Sequence, residues 1–357
     1  MNFTLFGYQK TGKTTLFNLL TGANIETKAF EDRKKEPNLR TCPVPDTRLE
    51  KLWAIHPDKE KKPATIDYID LRGLAYGEIK QATYLSYLRK ADGLTHVVRG
   101  FTDIQIPSSR GTISSDDDIL SMEEELILTD LLQVESRLEK LEKELKTTKN
   151  PEGEKEKEIL ELIRTKLEEG QAIRELSISP QEDKQLRSFA FLSQKPLIHM
   201  INVDEKDIHL FEKTDKRFSE TKQKTAALFF CGKIEMEIRE LEDEEKELFL
   251  IEYGLQELSA PKFLRASYEL LNVITFFTIG KDEVKAWTIP KNTTAFKAAG
   301  AIHSDIEKGF IKAEVISTED LLKSGSFQTA KENASVRIEG KDYVVQDGDV
   351  IYFRFSK

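Results

Sequence analysis

The N-terminal run NFTLF is followed at once by GYQKTGKT, residues 7–14, and then by TLFNLL. An apolar run, a loop with glycines five apart ending in Lys-Thr, and a segment with helical apolar spacing form a strand–loop–helix signature. Gly7 and Gly12 let successive backbone N–H groups curl around an anion at a helix N-terminus. Lys13 is placed to reach β- and γ-phosphates, and the Thr14 hydroxyl to ligate Mg²⁺. A chance match in a chain of this length is on the order of one in a hundred. The loop therefore predicts a site for a purine nucleoside triphosphate with Mg²⁺, built from Gly7, Lys10, Thr11, Gly12, Lys13, Thr14 and Thr15.

The remaining pattern extends that unit. Strand-like runs at Ala64 to Asp70, Leu94 to Arg99 and Pro196 to Asn202, with a helix-like stretch from Glu78 to Ala91, predict an α/β fold with a mostly parallel sheet. Within the intervening segment, Ile127, Leu131, Val134, Leu138, Leu141 and Leu145 step by four and three, a heptad seam. Asn150-Pro151 and Gly153 break it before Ile159, Leu160, Ile163 and Leu167 resume, which predicts an antiparallel helical hairpin. From about Thr275 the chain changes to short strand-like runs, AWTIP, KAEVIS, SVRIEG, KDYVV and VIYFRF, around one helix at Ala295 to Ile302. That is a separate small α+β domain. The expected division is 1–118 with 185–274 for the nucleotide-binding domain, 119–184 for the helical insertion and 275–357 for the C-terminal domain.

Three further motifs refine the site. Asp70-Leu71-Arg72-Gly73 ends a strand, where the aspartate can hold the metal's water shell and the Gly73 amide can meet a γ-phosphate. Lys13 and Gly73 are thus the catalytic candidates, and Thr14 and Asp70 the metal candidates. Leu74 follows where many GTPases carry a water-orienting glutamine, and an aliphatic side chain cannot orient water. For the base, Asn202-Val203-Asp204-Glu205 stands where guanine-specific proteins carry N-K-x-D, so Asn202, Val203 and Glu205 are nucleotide candidates. Glu205 is one methylene longer than aspartate, which suits relaxed or adenine-favouring recognition. Cys231 and Gly232 can offer backbone groups to the base.

A net charge of −9 excludes whole-chain attraction to nucleic acid and makes any such contact regional. Two distant cysteines outside any CxxC pattern suggest reduced thiols, and no run of 18 apolar residues occurs. A cytoplasmic monomer without membrane attachment is expected.

Long strings, including EPN at Glu36 to Asn38, PVPDTRL, HVVR, NVDE, GKIEMEIRELEDEEKELFL and AAGAIHSDIEKGFIKAEVIS, resemble the YchF family of Obg-like ATPases over nearly the whole chain. The resemblance implies a P-loop domain interrupted by a coiled coil, then a ubiquitin-like (β-grasp) TGS domain. It also implies binding of ATP and often GTP, slow hydrolysis, and association with the ribosome or RNA through the hairpin and TGS domain. Lys34 stands where the family has its switch threonine, and Ser108 where it places a histidine implicated in catalysis. Lys10 replaces an asparagine that in related proteins helps hold an activating potassium ion, so its ammonium could take that ion's place. Two functions stay open, a slow ATP-preferring NTPase and a nucleotide-sensing module with little hydrolysis, and a GTP preference is a third possibility.

Overall fold

The computed structural model describes residues 1–26, 36–75, 77–103, 113–147, 150–210 and 224–356. The chain groups into two compact units, Met1–Arg40 with Asp67–Leu270, and Thr41–Ile66 with Leu271–Lys357.

The first unit is built on β1 (Asn2–Phe6), α1 (Lys13–Thr21) and a sheet whose order is β2-β4-β1-β5-β6-β7. Here β2 is Asn38–Pro43, β4 Thr65–Asp70, β5 Gly93–Gly100, β6 Leu197–Val203 and β7 Thr225–Phe230. Strand β1 pairs in parallel with β4 on one side and β5 on the other, and β5–β6 and β6–β7 are parallel as well. Strands covered on both faces read as continuous apolar runs, and β6 is buried along its whole length. The chain leaves β1 toward β4 and then crosses to β5. The loop after β1 therefore opens at the point where strand order reverses, the place where α/β sheets bind ligands.

Helix α2 (Thr47–Ala54) and strand β3 (Glu60–Lys62) precede β4, and a 3₁₀ turn (Glu78–Lys80) and α3 (Ala82–Lys90) follow it. The insertion is a pair of helices, α4 (Ser115–Thr147) and α5 (Pro151–Glu168). The heptad positions Val134, Leu138 and Leu141 pack with Ile159, Leu160, Ile163 and Leu167. The apparent helix breaker between them is a start signal. Asn150 caps α5 by accepting from the backbone N–H groups of Glu152 and Gly153, and Pro151 occupies the first turn, where its missing N–H costs nothing. Short α6 (Pro180–Leu186) leads back toward β6, and α7 (Gly232–Arg239), α8 (Asp243–Glu252) and α9 (Ser259–Leu271) complete this unit.

The second unit has β8 (Val273–Ile279), β9 (Glu283–Pro290), α10 (Ala295–Ile302), α11 (Ser304–Lys308), β10 (Phe310–Ser317), α12 (Thr318–Ser324), α13 (Phe327–Glu332), β11 (Arg337–Glu339) and β12 (Asp349–Phe355). Its sheet order is β11-β10-β12-β8-β9-β3, with β8 and β12 parallel and the other C-terminal pairs antiparallel, the β-grasp arrangement.

Two expectations differ from the structure here. Residues 341–345 (KDYVV) form no strand; they cross the start of α10, where Tyr343 O accepts from Ala295 N–H and Val345 N–H donates to Thr293 O. Residues 41–66, read as part of the nucleotide-binding domain, group with the second unit because β3 adds in parallel to β9. Arg48 on α2 also bonds both Asp46 and Asp347 while lying over the Phe277 ring.

Candidate functional site: a phosphate-binding loop

The loop's shape follows from residues that only certain side chains permit. Gly7 has φ 142°, and a Cβ there would lie 2.6 Å from Val97 O. Gly12 has φ 98° and caps α1; a Cβ would lie 2.4 Å from Asn202 Nδ2. Between them Lys10 adopts φ 60°, a left-handed conformation that costs a lysine what it would not cost glycine or asparagine.

Lys13 is buried, and its ammonium donates to Tyr8 O at 2.6 Å, drawing the side chain back along the loop. The Thr14 hydroxyl donates to Asp70 Oδ2 at 2.9 Å, which joins the loop to the end of β4. Asn38 donates to the same oxygen at 3.0 Å. Motif reasoning did not single out Asn38; only its place in the string EPN pointed to it. Gly73 lies so close that a Cβ would meet Gln9 Cα at 2.6 Å and Lys13 Nζ at 3.0 Å. Lys13 and Thr14 thus converge with Asp70 and Gly73, more than 50 residues further along the chain, on one end of the sheet.

Leu74 bridges to Tyr8: its N–H donates to Gly7 O and its carbonyl accepts from Gln9 N–H. Its side chain is wholly buried in the core with Phe6, Tyr8, Ile69 and Leu71. Arg72 bonds Gln81 on the segment that follows.

On the other side, Asn202 links two loops. Its amide N–H donates to Thr11 O at 3.1 Å, and its carbonyl accepts from Gly232 N–H at 2.9 Å. A Cβ on Gly232 would meet Thr15 Cγ2 at 2.9 Å, so α7 and α1 begin against one another. Cys231 is buried and its thiol is pushed up by desolvation, which leaves its backbone as the group it can offer. Val203 is a core side chain. Glu205 is exposed, accepts from the Tyr253 hydroxyl at 3.0 Å and lies 3.9 Å from Lys233 Nζ. Lys34 and Ser108 lie outside the described residues.

Beneath the loop is a buried polar chain that the strand-like runs gave no sign of. His96 and His199 are register partners on β5 and β6, with Nδ1 atoms 3.2 Å apart. Burial and the His199 ring hold His96 well below the ordinary imidazole range, so it is neutral. His199 lies 3.5 Å from Glu123 on α4, whose other oxygen accepts from Arg174 at 2.8 Å. A second link runs from Tyr8 itself, whose hydroxyl donates to Glu125 Oε1 of α4 at 3.1 Å; Gly77 N–H donates to the same oxygen.

The sheet order, the loop and the strand-end aspartate define a P-loop nucleotide-binding protein of the α/β class. Residues 2–155 match a family model described as a 50S ribosome-binding GTPase, and residues 273–356 match the model of the YchF GTPase C-terminal domain, described as a protein of unknown function. The chain is 38% identical to the ribosome-binding ATPase YchF of Bacillus subtilis over 99% of its own length and 98% of that protein's. It is 39% identical to the protein of that name from Haemophilus influenzae, with the same coverage, and 33% identical to Obg-like ATPase 1 of Gallus gallus, covering 99% of this chain and 91% of that one. The solved structure of the Schizosaccharomyces pombe YchF GTPase superposes with a TM-score of 0.83 at 27% identity, covering 99% of this chain and 97% of that one. The chain belongs to the YchF family.

Proposed function

We propose that this protein binds ATP with Mg²⁺ in the loop of residues 7–14, hydrolyses it slowly and associates with the ribosome as its relatives are named for doing. The observation that carries the proposal is the convergence of Lys13, Thr14, Asp70 and Gly73. Backbone N–H groups and the Lys13 ammonium would bind the phosphates at the start of α1. Thr14 and Asp70 present a hydroxyl and a carboxylate already 2.9 Å apart, a hard oxygen pair suited to Mg²⁺. Bound there, the metal would neutralise phosphate charge. The Lys13 ammonium would leave Tyr8 O for the phosphate oxygens, and the Gly73 amide would serve the γ-phosphate, its missing side chain being what lets the strand end come this close.

Adenine over guanine is supported by the base side of the site. Asn202 is committed to two backbone partners, and the Glu205 carboxylate is engaged by Tyr253 and Lys233 in place of the aspartate that reads guanine. A second reading, nucleotide sensing with little turnover, is favoured by one observation: the Leu74 side chain is sealed in the core and supplies nothing to water.

Single-turnover phosphate release separates the two. Slow release with ATP that Lys13→Ala abolishes is the outcome expected; tight binding with no release above the Lys13→Ala background would establish the sensing role.

A further inference from the structure

The Glu205 carboxylate stands two residues beyond the end of β6, beside the two loops that Asn202 joins. Although it is exposed, each of its oxygens faces a partner within the first unit. Oε1 accepts from the Tyr253 hydroxyl at 3.0 Å, and Oε2 lies 3.9 Å from the ammonium of Lys233, the residue that follows Gly232.

Tyr253 is placed for this role by its own packing. It directly follows α8, its backbone N–H donates to Phe249 O at 3.0 Å, and its ring stacks on that of Phe249 with centroids 5.7 Å apart and planes 20° apart. Phe249 in turn packs against the core that contains Ile201, Val203 and Ile234. A tyrosine held in this way loses little further side-chain freedom when it bonds a carboxylate. The bond also raises Tyr253 above the ordinary phenol range, so its hydroxyl remains a donor.

We propose that Tyr253 sets the choice between purines, by keeping the Glu205 carboxylate out of use as a reader of guanine. Guanine presents two adjacent donors, N1–H and the exocyclic amine, and a carboxylate reads both only with its two oxygens together. In this chain one oxygen is committed to a hydroxyl and the other faces an ammonium. Adenine presents an acceptor at N1, so it loses nothing when the carboxylate is occupied. The length of Glu205 does not account for this by itself. One more rotatable bond than aspartate lets a free carboxylate swing toward a base as readily as away from it. A fixed partner is needed, and the hydrogen bond from Tyr253 is shorter and more directional than the exposed ion pair with Lys233. Tyr253 is thus a positioning residue that acts through Glu205. The proposal rests on the reading of residues 202–205 as the base loop and deepens it by naming what decides between the two bases.

The test is calorimetric titration of the full chain with Mg·ATP, Mg·GTP and Mg·ITP, whose base keeps N1–H but lacks the exocyclic amine. Tyr253→Phe retains the ring and its stack on Phe249. It should tighten GTP about three- to tenfold, as far as one hydrogen bond to a charged group can reach, tighten ITP by less, and leave ATP within about twofold. Glu205→Ala alone should leave GTP as in wild type, because the carboxylate is already occupied. In Tyr253→Phe/Glu205→Ala the gain should vanish. An unchanged ratio of ATP to GTP affinity in Tyr253→Phe overturns the proposal, as does a GTP gain that survives the double substitution. Equal gains for all three nucleotides also overturn it, since they would mark a loosened site and not base reading. So does a loss of GTP affinity in Glu205→Ala alone, which would show the carboxylate already reading guanine. Wild type that binds none of the three nucleotides sinks the reading of residues 7–14, and this proposal with it. Wild type that binds ATP while the ratio stays fixed sinks this proposal alone.

Discussion

One buried side-chain amide, that of Asn202, joins a loop 191 residues before it to another 30 residues after it. Removing it in Asn202→Ala strands the Thr11 carbonyl and the Gly232 N–H. Leaving two buried backbone groups unpaired should cost roughly 2–4 kcal/mol in urea denaturation, with nucleotide affinity falling as the loop loosens. Lys10 makes the opposite point, because its left-handed backbone is a cost the chain carries inside its own binding loop. Lys10→Asn should raise stability by about 0.5–1 kcal/mol. If the Lys10 ammonium takes the place of an activating potassium ion, phosphate release by wild type is equal in potassium and sodium, and Lys10→Asn makes it faster in potassium. A strong potassium requirement in wild type would rule that role out. The shape of the loop was legible because its two glycines and their spacing dictate the turn before α1. Asn38 was not, since a single asparagine reaching Asp70 across 32 residues leaves no local pattern.

Among elements, α4 does more than form a coiled coil. Its first turns bind the nucleotide end of the sheet through Glu123 and Glu125. One turn further on, Asp130 accepts from Leu192 and Ser193 backbone N–H groups and the Ser193 hydroxyl, fixing the return toward β6. Glu125→Ala frees the Tyr8 hydroxyl and the Gly77 N–H together, and should weaken Mg·ATP binding several-fold with a smaller change in melting temperature. A melting loss without a binding loss would show that the link is only structural. Helix α7 carries another buried acid. Glu235 accepts from the backbone N–H and hydroxyl of Ser259 at the start of α9, and burial pushes it up to about 7 from its ordinary 4.5. The folded state then holds a proton that the unfolded state has released, so this stabilising contribution is full below about pH 4.5 and is lost as pH rises through about 7. Relative to wild type, Glu235→Gln should therefore gain stability between pH 5 and 8, by up to roughly 3 kcal/mol. A constant difference across that range would contradict the assignment. Heptad spacing and the break at Asn150-Pro151 made the hairpin readable, whereas the capping role of Asn150 became visible only in the structure. The segment KDYVV misled because Val345 is buried against the start of α10 and not within a strand, and a run of three apolar residues cannot tell those two environments apart.

For the whole molecule, the order of elements was readable but the allegiance of residues 41–66 was not. That allegiance depends on a three-residue parallel pairing, Glu60 to Glu283 through Lys62 to Lys285, and on Arg48 meeting Asp347, 299 residues away. Such contacts carry no local periodicity. Arg48→Ala should accordingly loosen α2 on the second unit, seen as faster amide exchange in Thr47–Ala54, while Mg·ATP affinity stays unchanged because every residue of the phosphate loop lies in the first. The central claim is that residues 7–14 hold ATP. The direct test is calorimetric titration of wild type and Lys13→Ala with Mg·ATP, with Mg·GTP alongside. The expected result is one ATP per chain, bound more tightly than GTP, with affinity reduced about 30-fold or more in Lys13→Ala, as loss of a charged phosphate contact requires. Binding indifferent to Lys13, or much tighter for GTP than for ATP, would contradict it.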